Sequence, residues 1–556
     1  MNETPDLVLF NAQIITVDKA FSVKETVALK EGRIVFVGSN SDLKNQFSPA
    51  RREMDLKGLT VIPGVIDSHV HVIGIGLERQ KVSLAEAESI SDVLDILEKE
   101  CRRLGPEAWV VTSQVDFVPS HLREKRLPNR WELDSISDKN PIMVTRGEHF
   151  SVVNSYALGL AGIDRDSVPV EGGTIMKDPE TGEPTGWLGD TTLNQVRKLI
   201  PPMTHAERVA ALKAAMVELN GLGITSVIEA SADRDDPGFR AYRELWTQGE
   251  LTIRTRMLVG SPGRPVPMED LEKGPLEVSR ARGLGDNGDD MLRLWGAKLL
   301  VDGGIETAFL REPYMIIPGE QEDLDYRGRL MMSRDRLIEL CLLAARKGWR
   351  LGIHTVGDAA LDAVLEAFER ADREYTIRGR RWSVMHGFLV CPEHFEIMRR
   401  LGITVACQFS HSYTKGDAMV KWWGPERASR ANPVKEYIQE GIPVGGGSDG
   451  KSAEWRTPIL FWIDLTRQTQ LSGVLGPDLV LTREEMLRHH TIDAAYILGE
   501  EEALGSIERG KKADLTVLSK DILACPIDEI KDMEVLMTVV DGKVVYEERG
   551  DDRLSA

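Results

Sequence analysis

Cysteine is scarce: five residues in 556, at positions 101, 341, 391, 407 and 525, an odd number with no Cys-x-x-Cys pair. That excludes a disulfide framework and a cysteine-built zinc knuckle, and it suits a reducing compartment. Positive charge is short as well. Against 88 acidic side chains stand 69 lysines and arginines, for a net charge of −19, so the basic footprint of a nucleic-acid binder is missing. No apolar run approaches the roughly 18 residues that read as a membrane span. The opening Met1-Asn2-Glu3-Thr4-Pro5-Asp6 lacks the basic-then-apolar order of a secretory leader. The expectation is a cytoplasmic protein with neither membrane nor nucleic acid as partner, acting on a small molecule. Histidine is also sparse, at 11 residues, which gives weight to the spacing of those present.

What is present is an ordinary globular composition, 42% hydrophobic and 28% charged, in a chain long enough for several domain-sized units. Both ends read as short strands with tight turns. Near the start these are Leu7-Val8-Leu9-Phe10, Ala12 to Val17, Thr26 to Leu29 and Arg33 to Gly38. Near the end they are Ala513 to Leu518, Val535 to Val540 and Lys543 to Tyr546. This predicts one small β-sandwich domain built from both termini, residues 1–60 and 505–556. Between them eight strand candidates, 61–67, 224–230, 252–259, 292–301, 350–355, 382–386, 403–409 and 442–447, alternate with helical segments. Thr204-His205-Ala206-Glu207 is a capping box opening one such helix. Eight alternating β and α units over 61–504 predict an α/β fold, a (β/α)8 TIM barrel. The stretch from about 80 to 205 is too long for a loop, so it reads as an inserted subdomain after strand one, placed to act as a lid.

Asp67-Ser68-His69-Val70-His71 closes the first of these strands. Alternate residues of a strand face one side, so His69 and His71 can aim two imidazoles at one ion, although two histidines two apart also arise by chance. Strand five ends in His354, strand six in His386 and strand eight in Asp449, and strand four carries Lys298. Each has a plainer reading alone. A strand-end histidine can be a hydrogen-bonded core residue. Lys298 can snorkel to the surface or be neutralised by burial. Asp449, before Gly450, can be a turn residue or helix N-cap. Together, six metal-competent residues from five strands fall near the carboxyl ends, where a parallel barrel builds its active site. Imidazole and carboxylate suit Zn²⁺ or a similar first-row ion.

Across nearly the whole chain these blocks resemble the amidohydrolase superfamily, specifically its YtcJ-like, amidohydrolase-3 branch of metal-dependent hydrolases. Pro63 to His71 resembles that branch's strand-one motif. His149-Phe150-Ser151-Val152-Val153-Asn154-Ser155-Tyr156-Ala157-Leu158 resembles its insertion motif. Lys298 through Asp302-Gly303, Thr307-Ala308 and Pro313-Tyr314 follow its strand-four block, and His354-Thr355-Val356-Gly357-Asp358-Ala359-Ala360 its strand-five block. Thr491 to Ala495 and Gly505 to Leu515 resemble its exit into the β-sandwich. The resemblance implies a divalent centre, zinc by preference, held by His69, His71, His354, His386 and Asp449. Lys298 would bridge two ions as a carboxylated lysine, and one ion or two stays open.

The expected reaction is attack of a metal-bound hydroxide on a small amide-like substrate: an N-acyl or N-formyl amine, a cyclic amide or a carbamate. Asp449 would accept the proton and return it to the leaving nitrogen, with His386 or His354 orienting the substrate. A metal-assisted decarboxylase, hydratase or isomerase on the same barrel is the alternative, and a silent binding protein a third reading. Candidate substrate contacts are His149, Trp187, Asp302 and Gln408. His149 reads equally as a structural hydrogen bond, and Asp302 as an orienter of a ligand. Residues 186–190 read Gly-Trp-Leu-Gly-Asp where relatives more often have Gly-Val-Leu-x-Glu, which puts an aromatic in the expected lid. Glu229, ending strand two, reads as a pocket carboxylate or a satisfied structural one, and His411 lies just past strand seven. A homodimer is the expected assembly.

Overall fold

The computed structural model describes residues 4–113, 122–146, 150–170, 173–232, 237–260, 266, 268–316 and 325–548. The chain divides into two units, Met1–Val72 with Ala214–Ala556, and Ile73–Lys213.

The first unit is built round one eight-stranded sheet. In sequence order its strands are Val65–Val70, Ile224–Ala232, Arg254–Val259, Leu292–Leu300, Leu351–Thr355, Ser383–His386, Thr404–Cys407 and Val444–Gly446, numbered here as barrel strands one to eight. Each pairs in parallel with the next. Closure comes just past the ends of strands one and eight, where Asp449 N donates to His69 O and His71 N to Gly450 O, both at 2.8 Å. Asp67 reinforces the seam, accepting from Ser448 N at 3.0 Å and Ser448 Oγ at 2.5 Å. The result is a nearly closed (β/α)8 barrel.

Its strands are almost wholly buried because helices cover the outside. Asp358–Glu374 turns nine apolar residues inward, among them Val364, Leu365 and Phe368. Arg334–Lys347 is held by Ser333 as N-cap and by a left-handed Gly348 at its end. The last helix, Ile492–Leu498, joins the same cluster as Ile66, Ile228, Leu258 and Ala406, and Trp295 of strand four donates to Ile497 O at 3.2 Å.

The sequence reading of a single first strand over 61–67 is corrected. Thr60–Pro63 belongs to a different sheet, pairing in parallel with Gln13–Ile15 and antiparallel with Leu515–Leu518, and the barrel strand begins at Val65. The chain changes sheets at Gly64, whose N–H donates to Asp514 O at 2.8 Å. Any side chain there would meet Thr225 at 2.3–2.4 Å, so the junction accepts only glycine.

The terminal strands make two sheets. One orders Arg33–Gly38, Thr26–Lys30, Leu7–Phe10 and Arg52–Asp55; the other orders Lys543–Glu547, Val535–Val540, Leu515–Leu518, Thr60–Pro63, Gln13–Ile15 and Val23–Lys24. Leu7, Val27 and Met54 of the first share a buried cluster with Ile14, Val61, Leu515 and Val539 of the second. Arg254 of barrel strand three, 1% exposed, donates to Asp514 at 2.7 and 3.0 Å and to Asp541 at 3.0 Å, fastening the barrel to these strands.

The second unit, Ile73–Lys213, carries a five-stranded sheet ordered Gly173–Lys177, Pro184–Gly189, Phe150–Val153, Ile142–Arg146 and Val110–Val111. Helix Ile90–Leu104 buries Val93, Leu97 and Cys101 against Val144 and Val152. Among the described residues no helix is long and apolar enough to cross a membrane.

Candidate metal centre

The carboxyl ends of five barrel strands gather the six residues singled out from the sequence. His69 and His71 leave strand one on the same side, as the two-residue period requires. Their Nε2 atoms lie 3.6 and 3.3 Å from Asp449 Oδ1. Lys298 Nζ sits 3.4 Å from His69 Nε2. The His386 ring lies 4.7 Å from that of His69 and 4.4 Å from that of His354, centroid to centroid. One ligand atom from each of His69, His386 and Asp449 lies within 4.8 Å of the other two. Two of these residues hold rare backbone: His386 has φ 83° and Asp449 φ 52°, left-handed conformations that the surroundings must enforce.

Burial sets the charge state. It holds the His69 and His386 imidazoles well below their ordinary range, helped by Lys298 for the first and His354 for the second. It pushes His354 down to about 4, with Lys298 adding to the effect. Lys298, also by burial, is lowered to about 7. Burial alone would raise Asp449, but the hydrogen bond from His411 and the nearby His71 and His69 imidazoles outweigh it and hold the carboxyl well below the carboxylate range. Neutral imidazoles therefore surround one carboxylate.

These residues fit a divalent cation. Asp449 Oδ1 is buried and accepts no hydrogen bond among the described residues, although two imidazole nitrogens face it. A buried carboxylate oxygen in that state calls for a partner. His386 Nδ1 contacts Gln408 Oε1 at 2.7 Å and so leaves Nε2 for an ion. His354 Nε2 lies 3.1 Å from Gly303 O, which leaves Nδ1.

The supporting residues explain the orientation. Gln408 is fully buried, and its own Nε2 donates to Ala406 O at 2.7 Å, which fixes the amide that holds His386. Asp302 accepts from the amides of Val356 (3.0 Å), Gly357 (2.8 Å) and Phe309 (3.1 Å), and its Oδ1 is 4.0 Å from His354 Nε2. Burial pushes Asp302 up to about 7 against those three donors. Glu229 accepts from Val72 N at 3.0 Å and Tyr242 Oη at 2.7 Å, with its other oxygen 3.9 Å from His71 Nδ1.

Of the candidate substrate contacts, Trp187 belongs to the 73–213 unit, where it packs partly buried against the core with its ring centroid 6.0 Å from the Arg146 guanidinium. His149 falls outside the described residues. A residue without a role in the sequence reading, His411, donates from Nε2 to Asp449 Oδ2 at 2.8 Å. Its position just past strand seven was legible; its partner, 38 residues away, was not. A second buried group, Asp464, His489 and His490, is internally occupied, with His490 Nε2 2.8 Å from Asp464 Oδ2 and His489 Nδ1 3.0 Å from Val444 O.

A parallel barrel with this donor set at its carboxyl end defines the class, a metal-dependent hydrolase. The chain belongs to the amidohydrolase family, whose model matches residues 52–546. It is 29% identical to an N-substituted formamide deformylase of Arthrobacter pascens over 99% of this chain and 100% of that protein. It is 28% identical to the Bacillus subtilis protein named "Putative amidohydrolase YtcJ" over 94% of this chain and 96% of that one. Among solved structures, an uncharacterised metal-dependent hydrolase from Pyrococcus horikoshii shares the fold, with a TM-score of 0.71 and 24% identity over 94% of this chain and 99% of the other.

Proposed function

We propose that this chain hydrolyses the C–N bond of a small amide-like compound: an N-formyl or N-acyl amine, a cyclic amide or a carbamate. The observation that carries the reading is Asp449, one oxygen engaged by His411 and the other buried, unpartnered and faced by His69 and His71. The deformylase relative, alike over its whole length, supports the N-formyl case.

His69, His71, His386, His354, Lys298 and Asp449 would hold one or two ions, and imidazole with carboxylate favours zinc. Bound there, a divalent cation supplies Lewis acidity and lowers the pKa of water towards 7. Lys298, lowered to about 7 by burial, is in part a free amine at neutral pH; that amine could take up CO₂ with loss of a proton, and the carbamate would add an anionic oxygen donor to the set. Asp449 Oδ1 has two lone pairs, enough for a cation contact and for a hydrogen bond from the attacking water. Asp449 takes that water's proton as the new C–O bond forms. It returns the proton to the nitrogen as the C–N bond breaks, so that amine and carboxylic acid leave. Gln408 and Gly303 O fix the His386 and His354 rings through this cycle.

The test is a panel of formamides, amides, lactams and carbamates, assayed before chelation, after it and after return of zinc. Stoichiometric amine and carboxylate, lost on chelation and restored by metal, are expected. CO₂ release without amine, or turnover indifferent to chelation, would overturn the reading, the former in favour of a decarboxylase. The domain reading, adjusted at strand one, follows the same proposal: a composite β-sandwich of 1–63 and 505–556, and a barrel from Val65 to about 504 that carries the 73–213 unit as its insertion. All five cysteines are free thiols, which supports a cytoplasmic setting. A small-molecule substrate and a homodimer complete it.

A further inference from the structure

We infer that His411 is a positioning residue that sets the plane of the Asp449 carboxylate and so keeps one of its oxygens turned to the reaction; this rests on the reading of Asp449 as proton carrier given above. The backbone of Asp449 is fixed from strand one, by Asp449 N donating to His69 O at 2.8 Å and by Asp67 gripping Ser448 N and Oγ. Its carboxylate is fixed from the other side. The helix Ser410–Trp423 begins just past strand seven and latches onto the turn after strand eight at two successive residues. Ser410 Oγ donates to Ser448 O, and His411 Nε2 to Asp449 Oδ2, both at 2.8 Å. The His411 ring is itself buried, 5.3 Å from the Phe388 ring and 5.9 Å from that of His386.

Rotation about the terminal bond of an aspartate is broad, so an untethered carboxylate turns its plane easily. The His411 N–H stops that turning. Oδ2 keeps its donor, and Oδ1 stays turned towards His69 and His71. The water's proton therefore comes onto Oδ1 as oxygen bonds to carbon. It leaves Oδ1 for the nitrogen as the C–N bond breaks, and the carboxylate is regenerated. His411 neither gains nor loses a proton in this cycle.

The experiment compares His411→Leu, His411→Gln and Asp449→Asn on 4-nitroformanilide, followed by release of 4-nitroaniline, with metal content measured on each. For His411→Leu, kcat is expected to fall about 10- to 100-fold, the loss of one charge-assisted hydrogen bond, with KM and metal content near wild type. His411→Gln, whose amide N–H can reach the same oxygen, is expected to recover most of that loss. An unchanged kcat, a rise in KM alone, or a Gln variant no better than Leu would overturn the inference. If Asp449→Asn stays active, the reading of Asp449 itself fails; if it is inactive while His411→Leu is normal, only the inference does. A crystal structure of His411→Leu gives a readout independent of turnover. The Asp449 carboxylate is expected turned out of its wild-type plane or spread over several planes, and an unmoved carboxylate would contradict the inference.

Discussion

Strand eight ends at Gly446 and Gly447 follows it directly, and replacing each with alanine should separate stability from function. Successive strand residues face opposite sides, and these two do. A Cβ on Gly446 would stand 2.4 Å from His490 Nδ1 and 2.5 Å from its Cε1, roughly 1 Å inside van der Waals contact. That ring cannot withdraw easily, since Asp464 holds it at 2.8 Å and Phe461 packs on it at 5.2 Å. Overpacking of this kind costs about 1–3 kcal/mol, and the rigid neighbour puts Gly446→Ala at the top of that range. A Cβ on Gly447 points the other way, to His69 N at 2.9 Å, His69 Cβ at 3.0 Å and Gln408 Nε2 at 3.1 Å. Those atoms need yield only a few tenths of an ångström, but they belong to a proposed ligand and to the amide that holds another. A displacement of that size costs up to about 100-fold in rate with modest loss of stability. Thermal unfolding by circular dichroism and zinc affinity by chelator competition measure the two effects. Gly446→Ala should lower the unfolding midpoint more, and Gly447→Ala should weaken zinc binding and turnover more. The opposite partition would refute the assignment of these two faces.

Gln408→Leu should leave the His386 Nδ1–H without its acceptor and reduce metal affinity about 10- to 100-fold, while Gln408→Glu retains an acceptor and most of the affinity; equal affinities for Leu and wild type would contradict this role. Asp493, in the first turn of the last barrel helix, is pushed up to about 6 by burial, against the charge of Arg488. A carboxyl raised in the folded state costs nothing below the unfolded value near 3.8. Stability then falls as pH rises from 3.8 to about 6, by about 1–3 kcal/mol in all, and levels off above that. Asp493→Asn should therefore match wild type in urea midpoint at pH 4 and exceed it at pH 8; a variant no more stable at pH 8 would refute the sign.

Much of this was legible in the sequence, for reasons that differ by residue. All eight barrel strands are short apolar runs bounded by turn residues, and such runs announce themselves locally. The first is misplaced because Val61 to Ile66 reads as one uninterrupted run without a charged or polar side chain, and nothing in that pattern marks Gly64 as a change of sheet. The junction depends on Thr225 and Asp514, which are far away in the chain. The six candidate ligands were legible because metal-competent side chains at strand ends are chemically distinctive. Gln408 and His411 were seen at the right end of the barrel but not with their partners, since a hydrogen bond to His386 or Asp449 is a property of packing. Asp67 read only as part of a motif, and its grip on Ser448 across the barrel seam appears only once the strands are closed.

If His69, His71, His386 and Asp449 form a metal centre, anomalous diffraction at the zinc edge, on crystals of the protein as purified, will show a peak about 2.0–2.2 Å from imidazole nitrogens of His69 and His386 and from Asp449 Oδ1. A peak only at Asp464, His489 and His490, or none at the barrel's carboxyl end in metal-supplemented protein, would contradict it.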